Sequence, residues 1–211
     1  MPEIDRSNAA NKRMPNTMSQ LSICVYCGSR PGELPAYSEA ARRVGHELGR
    51  RGWQLVYGGG RAGLMGVVAD AALAAGAAVI GVIPQSLMGR ELGHRGLTEL
   101  HVVQTMHERK MMMAERSDAF LALPGGIGTF EELFEVWSWR QLGYHDKPLG
   151  LLNVAGYYDA LLGFLDHSKT HGFMSTQQTE LLQVGVEPLP LLERLGELVP
   201  LATGLDDYRR I

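Results

Sequence analysis

Short runs rich in valine, isoleucine and leucine alternate along this chain with segments of helical period, and this alternation constrains the fold more than any other feature. Strands buried on both faces of a parallel sheet have such continuous apolar runs, and the helices between them form the crossover connections. The pattern predicts an α/β fold, a doubly wound parallel sheet of about seven strands with helices on both faces. The predicted strands are 21–26, 54–57, 78–83, 99–103, 119–123, 149–152 and 182–186, and the predicted helices cover about 36–50, 63–75, 106–117, 129–142, 156–170 and 188–198.

Length and composition predict one folded domain. With 211 residues, 45% of them hydrophobic, the chain is long enough to build a core on both faces of a sheet. We predict a domain at 21–200, flanked by a polar, disordered tail at 1–20 and a C-terminal tail at 201–211. The first segment lacks the apolar core of a secretory signal, and no later run is long enough to span a bilayer, so we expect a cytoplasmic protein.

The charge balance excludes some partners. The formal net charge is -3, from 20 Lys+Arg and 23 Asp+Glu, which gives no broad electrostatic footprint for nucleic acid or an anionic membrane. We therefore expect a small-molecule ligand, and an anionic ligand must be bound by a local group of donors.

Two pairs of residues have the spacing of metal ligands. Cys24 and Cys27 are the only cysteines, and a separation of three places them on opposite faces of a strand, without a second pair to complete a zinc site. His167 and His171 have i, i+4 spacing, but no third ligand is close to them in sequence. We predict structural cysteines, surface histidines and no metal.

Ligands of doubly wound sheets bind beyond the carboxyl ends of the strands, so the glycine turns are the candidate sites. The first turn, 27–32, offers backbone amides, the Ser29 hydroxyl and the Arg30 guanidinium to an anion, or is an ordinary turn. The second, 57–66, has the G-x-G-x-x-G spacing of a dinucleotide site, but 81–86 lacks the acidic residue that would hold the ribose. NAD is therefore the lesser interpretation, and no turn has the Walker A sequence.

The third turn, 124–129, joins a predicted strand to a predicted helix. Its glycines let the backbone approach a ligand, and the unpaired amides and positive dipole end of the helix suit a phosphate. Alternatively, Thr129 and Glu132 have the S/T-x-x-E spacing of a capping box. Arg109 and Lys110 lie on the helix before this strand, where they either meet the anion or are solvated.

Residues 124–132 match the PGGxGTxxE motif, and the chain resembles the Lonely Guy (LOG) family of cytokinin riboside 5'-monophosphate phosphoribohydrolases. The resemblance runs from 21 to about 186 and includes 25–29, 58–66, 106–110 and 145–148. It implies a Rossmann-like sheet, a homodimer with sites near the subunit interface, and no cofactor or metal. It also implies hydrolysis of an adenine-type nucleotide to free base and ribose 5-phosphate.

By position within the motifs, the resemblance implies Arg109 and Glu132 as the catalytic pair. We add Ser29 and Gly59, from the first two turns, to the substrate site. The nucleotide contacts that the resemblance implies are Glu91, Lys110, Gly125, Gly126, Gly128, Thr129 and Glu131.

The predicted function is hydrolysis of the N-glycosidic bond of cytokinin riboside 5'-monophosphates, of AMP, or of both. The third turn would anchor the phosphate, Glu132 would stabilise the developing positive charge, and Arg109 would act as an electrostatic clamp. The alternative is a carrier of the same fold that binds a nucleotide or phosphorylated cofactor without catalysis. Family members are often labelled lysine decarboxylases, but no lysine lies in a glycine turn to hold pyridoxal phosphate.

Overall fold

The computed structural model describes residues 20–88, 93–202 and 206–208. Seven strands in these ranges are β1 Ser22–Tyr26, β2 Gln54–Tyr57, β3 Val79–Pro84, β4 Glu99–Val103, β5 Ala119–Ala122, β6 Leu149–Leu152 and β7 Leu182–Gly185. They form one parallel sheet in the order β4-β3-β2-β1-β5-β6-β7. The prediction of a doubly wound parallel sheet is confirmed.

The described helices are α1 Pro35–Arg50, α2 Gly63–Ala74, α3 Met106–Glu115, α4 Ile127–Gln141, α5 Asp159–Thr170, α6 Thr176–Glu180 and α7 Pro188–Leu198. Two of the predicted helix starts differ by more than one residue. α4 begins at Ile127 rather than 129, and α5 begins at Asp159 because a 3-10 turn, Val154–Gly156, precedes it. α6 was not predicted; it is short and begins with a capping box between Ser175 and Gln178.

The sheet carries a core on each face. Alternation along β1 sends Ile23 and Val25 to the face covered by α1, α2 and α7, whereas Cys24 and Tyr26 face α3, α4 and α5. Cys27 belongs to the first core, so the two free, buried thiols lie on opposite faces, as their spacing predicted. No helix in the described ranges is long and apolar enough to cross a bilayer.

The strand order reverses between β1 and β5, and this reversal brings the glycine turns together. β1 pairs with β2 on one side and with β5 on the other, so the turns after β1 and β5 begin side by side. Gly28 N donates to Pro124 O at 3.0 Å, and Leu64 N donates to Gly28 O at 2.9 Å. All three predicted turns therefore meet at one edge of the sheet, where doubly wound folds bind ligands.

A buried cluster includes the last described segment of the chain, 206–208. The segment 206–208 falls within the predicted C-terminal tail, yet Tyr208 is only 4% exposed and packs edge-on against Trp139 at 5.9 Å. Lys147 Nζ pairs with Asp206 at 3.0 Å and donates to Ala114 O at 2.9 Å. These contacts attach the segment to the face that α3 and α4 cover.

Candidate active site

A cavity of about 380 Å³ opens where β1 and β5 end. It collects residues from all three glycine turns and from α3, which supplies Arg109. Six predicted site residues line it: Ser29, Arg109, Gly126, Gly128, Thr129 and Glu132. Four further lining residues were not predicted as site residues: Cys27, Arg30, Met65 and Ile127.

The start of α4 forms one wall of the cavity. Gly126 is the N-cap, and no side chain caps this end of the helix. The bond from Phe130 N to Gly126 O, 3.1 Å, is the first of the helix, so the amides of Ile127, Gly128 and Thr129 have no carbonyl partner one turn earlier. The alternative of a capping box with Thr129 as N-cap is wrong, because Thr129 is the third helical residue.

Gly125 allows the turn to pack tightly against this helix start. A Cβ atom at Gly125 would overlap Thr129 Oγ1, and it would lie 2.8 Å from Gly28 N. Only a glycine leaves the threonine hydroxyl and the neighbouring turn in place. Gly125 therefore does not line the cavity but allows the residues that do line it to pack closely.

Arg109 is a buried cation that faces the cavity. Its side chain reaches back across the ends of β2 and β3, where Nε donates to Val82 O and Nη2 donates to Gly58 O, both at 3.1 Å. Nη1 lies 4.0 Å from Glu132 Oε1, across the cavity from α3 to α4. With 5% exposure, Arg109 is not the solvated helix residue that the sequence alone left open.

The second glycine turn serves close packing around this arginine. A Cβ atom at Gly58 would collide with Arg109 Nη2, and one at Gly63 would collide with the backbone of Ser29 and Arg30. Gly63 also has a φ of +58°. Protein contacts therefore account for Gly58 and Gly63, two of the three glycines of the G-x-G-x-x-G spacing, without a pyrophosphate.

Gly59 lies against the neighbouring strands rather than in the lining of the cavity. Its φ is +74°, and its Cα faces Ile83 and Leu100, which would lie 3.2 Å from an added Cβ. Gly59 O accepts a hydrogen bond from His94 N at 2.9 Å. The structure thus gives this predicted contact a role in holding the β2 turn.

Lys110 and Glu131 are absent from the lining of the cavity and pair with each other. Lys110 Nζ lies 2.6 Å from Glu131 Oε1 and 2.7 Å from Glu135 Oε1. Although burial acts in the opposite direction, the hydrogen bonds to these two carboxylates raise the pKa of Lys110. The cluster ties α3 to α4 and so sets the distance between Arg109 and Glu132. Glu91, also predicted as a contact, lies outside the described residues.

The four additional lining residues complete the walls. Arg30 brings a second guanidinium, and Ile127 is 84% exposed at the helix start. Burial raises the pKa of the Cys27 thiol, which with Met65 forms an uncharged wall at neutral pH. Arg30 lies in the first glycine turn, which the sequence marked as a possible anion site. That position, shortly after β1, is the signal by which Arg30 could have been assigned to the cavity.

Known proteins resemble this chain over most of its length. The family model described as "Possible lysine decarboxylase" matches residues 65–195. Two cytokinin riboside 5'-monophosphate phosphoribohydrolases of Arabidopsis thaliana, LOG3 and LOG4, are 50% and 51% identical to the chain over 178 residues. Each alignment covers 84% of this chain and 83% of the relative. The chain belongs to the LOG family.

Solved structures share the fold of this LOG-family chain. The molybdenum cofactor binding protein of Rippkaea orientalis superimposes with a TM-score of 0.67 at 21% identity, over 87% of this chain and 99% of that one. The molybdenum cofactor carrier protein of Chlamydomonas reinhardtii gives 0.65 at 20% identity, over 86% and 99%. At such identities the likeness shows a common architecture and nothing about the ligand.

The lysines do not suit the chemistry in the family model's description. A decarboxylase of that kind binds pyridoxal phosphate on a lysine. In the described ranges, Lys110 pairs with two glutamates, Lys147 is buried against Ala114 O and Asp206, and Lys169 pairs with Asp166. None of these three lines the cavity beside Arg109.

Proposed function

We propose that this LOG-family chain hydrolyses the N-glycosidic bond of nucleoside 5'-monophosphates, releasing the free base and ribose 5-phosphate. The substrates we propose are cytokinin riboside 5'-monophosphates, AMP, or both. One observation carries the proposal: a single cavity joins an uncapped helix start to a buried Arg109 that faces Glu132. Relatives about 50% identical that carry this activity in their names support the reaction type.

The start of α4 is the proposed phosphate site. The amides of Ile127, Gly128 and Thr129 converge at the positive end of the helix dipole, which favours a dianion. The Thr129 and Ser29 hydroxyls and the Arg30 guanidinium lie in the same lining and add donors. Arginine suits this position because its planar group can donate two hydrogen bonds to phosphate oxygens.

Glu132 then lies where the sugar would be. It follows Gly128 by four residues, a rise of about 6 Å along the helix, comparable to the span of a ribose. A carboxylate there stabilises the positive charge that develops at the anomeric carbon, or holds the attacking water. Because the phosphate anchors the substrate, the reacting bond is held beside this group.

Arg109 acts as a fixed charge. Its guanidinium stays protonated at neutral pH, so it does not serve as a general acid. Two of its nitrogens are occupied by Val82 O and Gly58 O, and this fixes the direction of Nη1 toward Glu132. The arginine thereby faces the carboxylate with a fixed positive charge before the substrate arrives.

We also propose a homodimer with sites near its interface, located in the cytoplasm. The apolar side chains of Met106 and Phe134 are 41% and 39% exposed on α3 and α4, the helices that carry Arg109 and Glu132. An interface there would cover them and close the open side of the cavity. Lys110 and Glu131, on these same two helices, and Glu91 remain proposed nucleotide contacts.

The test is to incubate the purified protein with AMP, with isopentenyladenosine 5'-monophosphate and with adenosine, and to separate the products by chromatography. We expect free base and ribose 5-phosphate from at least one nucleotide, and far slower release from adenosine. Glu132→Gln, which keeps the side-chain shape, should lower turnover by roughly 10²- to 10⁴-fold while the protein stays folded and binds the nucleotide. Nucleotide binding without base release by the wild type would favour the carrier.

A further inference from the structure

An unusual turn lies next to the proposed phosphate site. The segment between β6 and α5 contains Ala155 with a φ of 51°, the only non-glycine residue with positive φ in the described part of the chain, followed by Gly156 at 72°. An alanine in the left-handed region is strained and persists only where the surroundings fix it. Such strain is a reason to ask what the turn positions.

Asn153 fixes the turn from within. Its Nδ2 donates to Asp159 Oδ1, and its Oδ1 accepts from Tyr158 N, both at 2.7 Å. The amide side chain is 7% exposed and so bridges the two ends of the turn inside the protein. The chain is held in the conformation that points two consecutive tyrosines toward the β5–α4 turn.

The two hydroxyls bind successive parts of that turn. Tyr158 Oη donates to Leu123 O at 2.7 Å, and Tyr157 Oη donates to Gly125 O at 2.5 Å. The rings pack edge to face 4.8 Å apart, and Tyr37 packs against Tyr157 at 5.6 Å. The backbone is therefore held on both sides of Pro124, at the beginning of the glycine turn.

The two tyrosines differ in what their bonds accomplish. Tyr158 is 1% exposed, and a buried hydroxyl needs a partner wherever it lies. Tyr157 is 38% exposed, so water could satisfy its hydroxyl. Its bond to Gly125 O is therefore not required by burial, and it acts on a peptide between two glycines, which rotates more freely than any other.

Orientation of this peptide decides where one amide points. In a trans peptide the carbonyl and the next N–H point in opposite directions. Holding Gly125 O toward Tyr157 thus fixes the direction of Gly126 N–H, and Gly126 lines the cavity at the start of α4. Without the hydroxyl, the Gly125–Gly126 peptide gains alternative orientations that leave the phosphate donors misaligned.

We propose that Tyr157 is a positioning residue of the phosphate site. Its hydroxyl holds the Gly125–Gly126 peptide in the orientation that binds phosphate. Tyr157 itself is held in place by the turn that Asn153 fixes. The inference rests on the proposed function only for the identity of the substrate, because phosphate binding can be measured without turnover.

The test compares Tyr157→Phe with the wild type and with Tyr37→Phe. The first change removes the bond to Gly125 but keeps the ring against its neighbours, and the second removes a hydroxyl from the adjacent ring while the Gly125 bond remains. For Tyr157→Phe we expect KM for AMP and the dissociation constant for ribose 5-phosphate to rise together by about 3- to 10-fold, the effect of one hydrogen bond. kcat/KM for adenosine, which lacks the phosphate, should stay at the wild-type value.

The controls separate the two proposals. Calorimetry with ribose 5-phosphate decides the role of Tyr157 even if the wild type releases no base, a result that would overturn the reaction alone. Wild-type affinity of Tyr157→Phe for ribose 5-phosphate would overturn the positioning role. So would an equal loss for Tyr37→Phe, or an equal loss of activity on AMP and adenosine, since a general structural defect would affect both substrates.

Discussion

Arg109 is positioned by two backbone carbonyls and by a glycine that leaves room for its guanidinium. A buried guanidinium must be hydrogen-bonded and its charge compensated, and here two backbone carbonyls accept hydrogen bonds from it while Glu132 lies opposite. The path to Gly58 O is open only because residue 58 lacks a Cβ atom. The turn with the spacing of a dinucleotide site thus positions one member of the proposed catalytic pair.

This arrangement makes Gly58→Ala a specific test of Arg109. The new methyl group would overlap Nη2, so the guanidinium must move and Nη1 must lose its direction toward Glu132. We expect a loss of base release of roughly 10²-fold or more, as when a preorganised donor is removed. The measurement is steady-state kinetics on AMP.

A matched control for this change is Gly163→Ala on α5, where an added Cβ atom meets nothing within 4 Å. That variant should keep wild-type kinetics and gain stability of up to about 1 kcal/mol, since alanine is the better helix former. Full activity of Gly58→Ala would show that the position of Arg109 does not control the reaction.

Adjacent residues in the motifs were assigned together, and the structure separates them. Side chains of neighbouring helical residues point about 100° apart, and here Arg109 lines the cavity whereas Lys110 does not. The same holds for Glu132 and Glu131. The motifs pointed to the two helices that line the cavity, but only the packing of α3 on α4 reveals that Lys110 pairs with Glu131 while Arg109 faces Glu132.

At the scale of elements, the start of α4 shows a helix end left available for a ligand. The sequence predicted a start at 129 because the S/T-x-x-E spacing resembles a cap, whereas the helix begins at Ile127 after a glycine N-cap. Glycine places no side chain over the first amides. Because the helix begins two residues earlier, Ile127, Gly128 and Thr129 line the cavity, a geometry that no local propensity specifies.

Ile127→Asp should separate helix stability from phosphate binding. An acidic residue in the first turn interacts favourably with the helix dipole, worth about 0.3–1 kcal/mol, so the melting temperature should not fall. A unit charge ~8 Å from a dianion costs ~1 kcal/mol even in water, so KM for AMP should rise about 5-fold or more. Steady-state kinetics and thermal unfolding measure the two effects.

Ile127→Asn is the neutral control, with nearly the same shape as aspartate. It should leave KM close to the wild-type value, and raising the ionic strength should narrow the difference between the two variants. If the aspartate and asparagine variants bind AMP equally at low salt, the phosphate does not lie at this helix start.

For the whole molecule, the alternation of strands and helices predicted the architecture but not which strands are neighbours. β1 and β5 are separated by three strands in sequence, and their pairing is what brings Gly28 and Pro124 within hydrogen-bond distance. Hydrophobic periodicity is a local property, whereas strand order depends on contacts across the sheet. The site could therefore be assigned to glycine turns, but its cavity could not be assembled from the sequence.

The 145–148 motif, which contributed to the resemblance, supports the fold away from the cavity. His145 is 2% exposed; Nε2 faces Val136 O at 2.9 Å, and Nδ1 accepts from Lys147 N at 3.1 Å. This pattern fixes the neutral tautomer with its proton on Nε2. The ring also packs against Phe120 and Tyr208, so it joins β5 to the C-terminal segment.

Protonation of His145 should therefore destabilise the protein in mild acid. Burial lowers the pKa of this imidazole from 6.5 to about 4, so protons bind the unfolded chain first, and stability falls as pH drops from 6.5 toward 4. Between pH 7 and pH 5 this linkage removes about 2 kcal/mol of unfolding free energy. The measurement is urea unfolding at both pH values.

The control is His145→Gln, which keeps a donor and an acceptor but does not titrate. The wild type should lose about 2 kcal/mol more unfolding free energy than this variant between pH 7 and pH 5. Equal losses would assign the acid sensitivity to other groups.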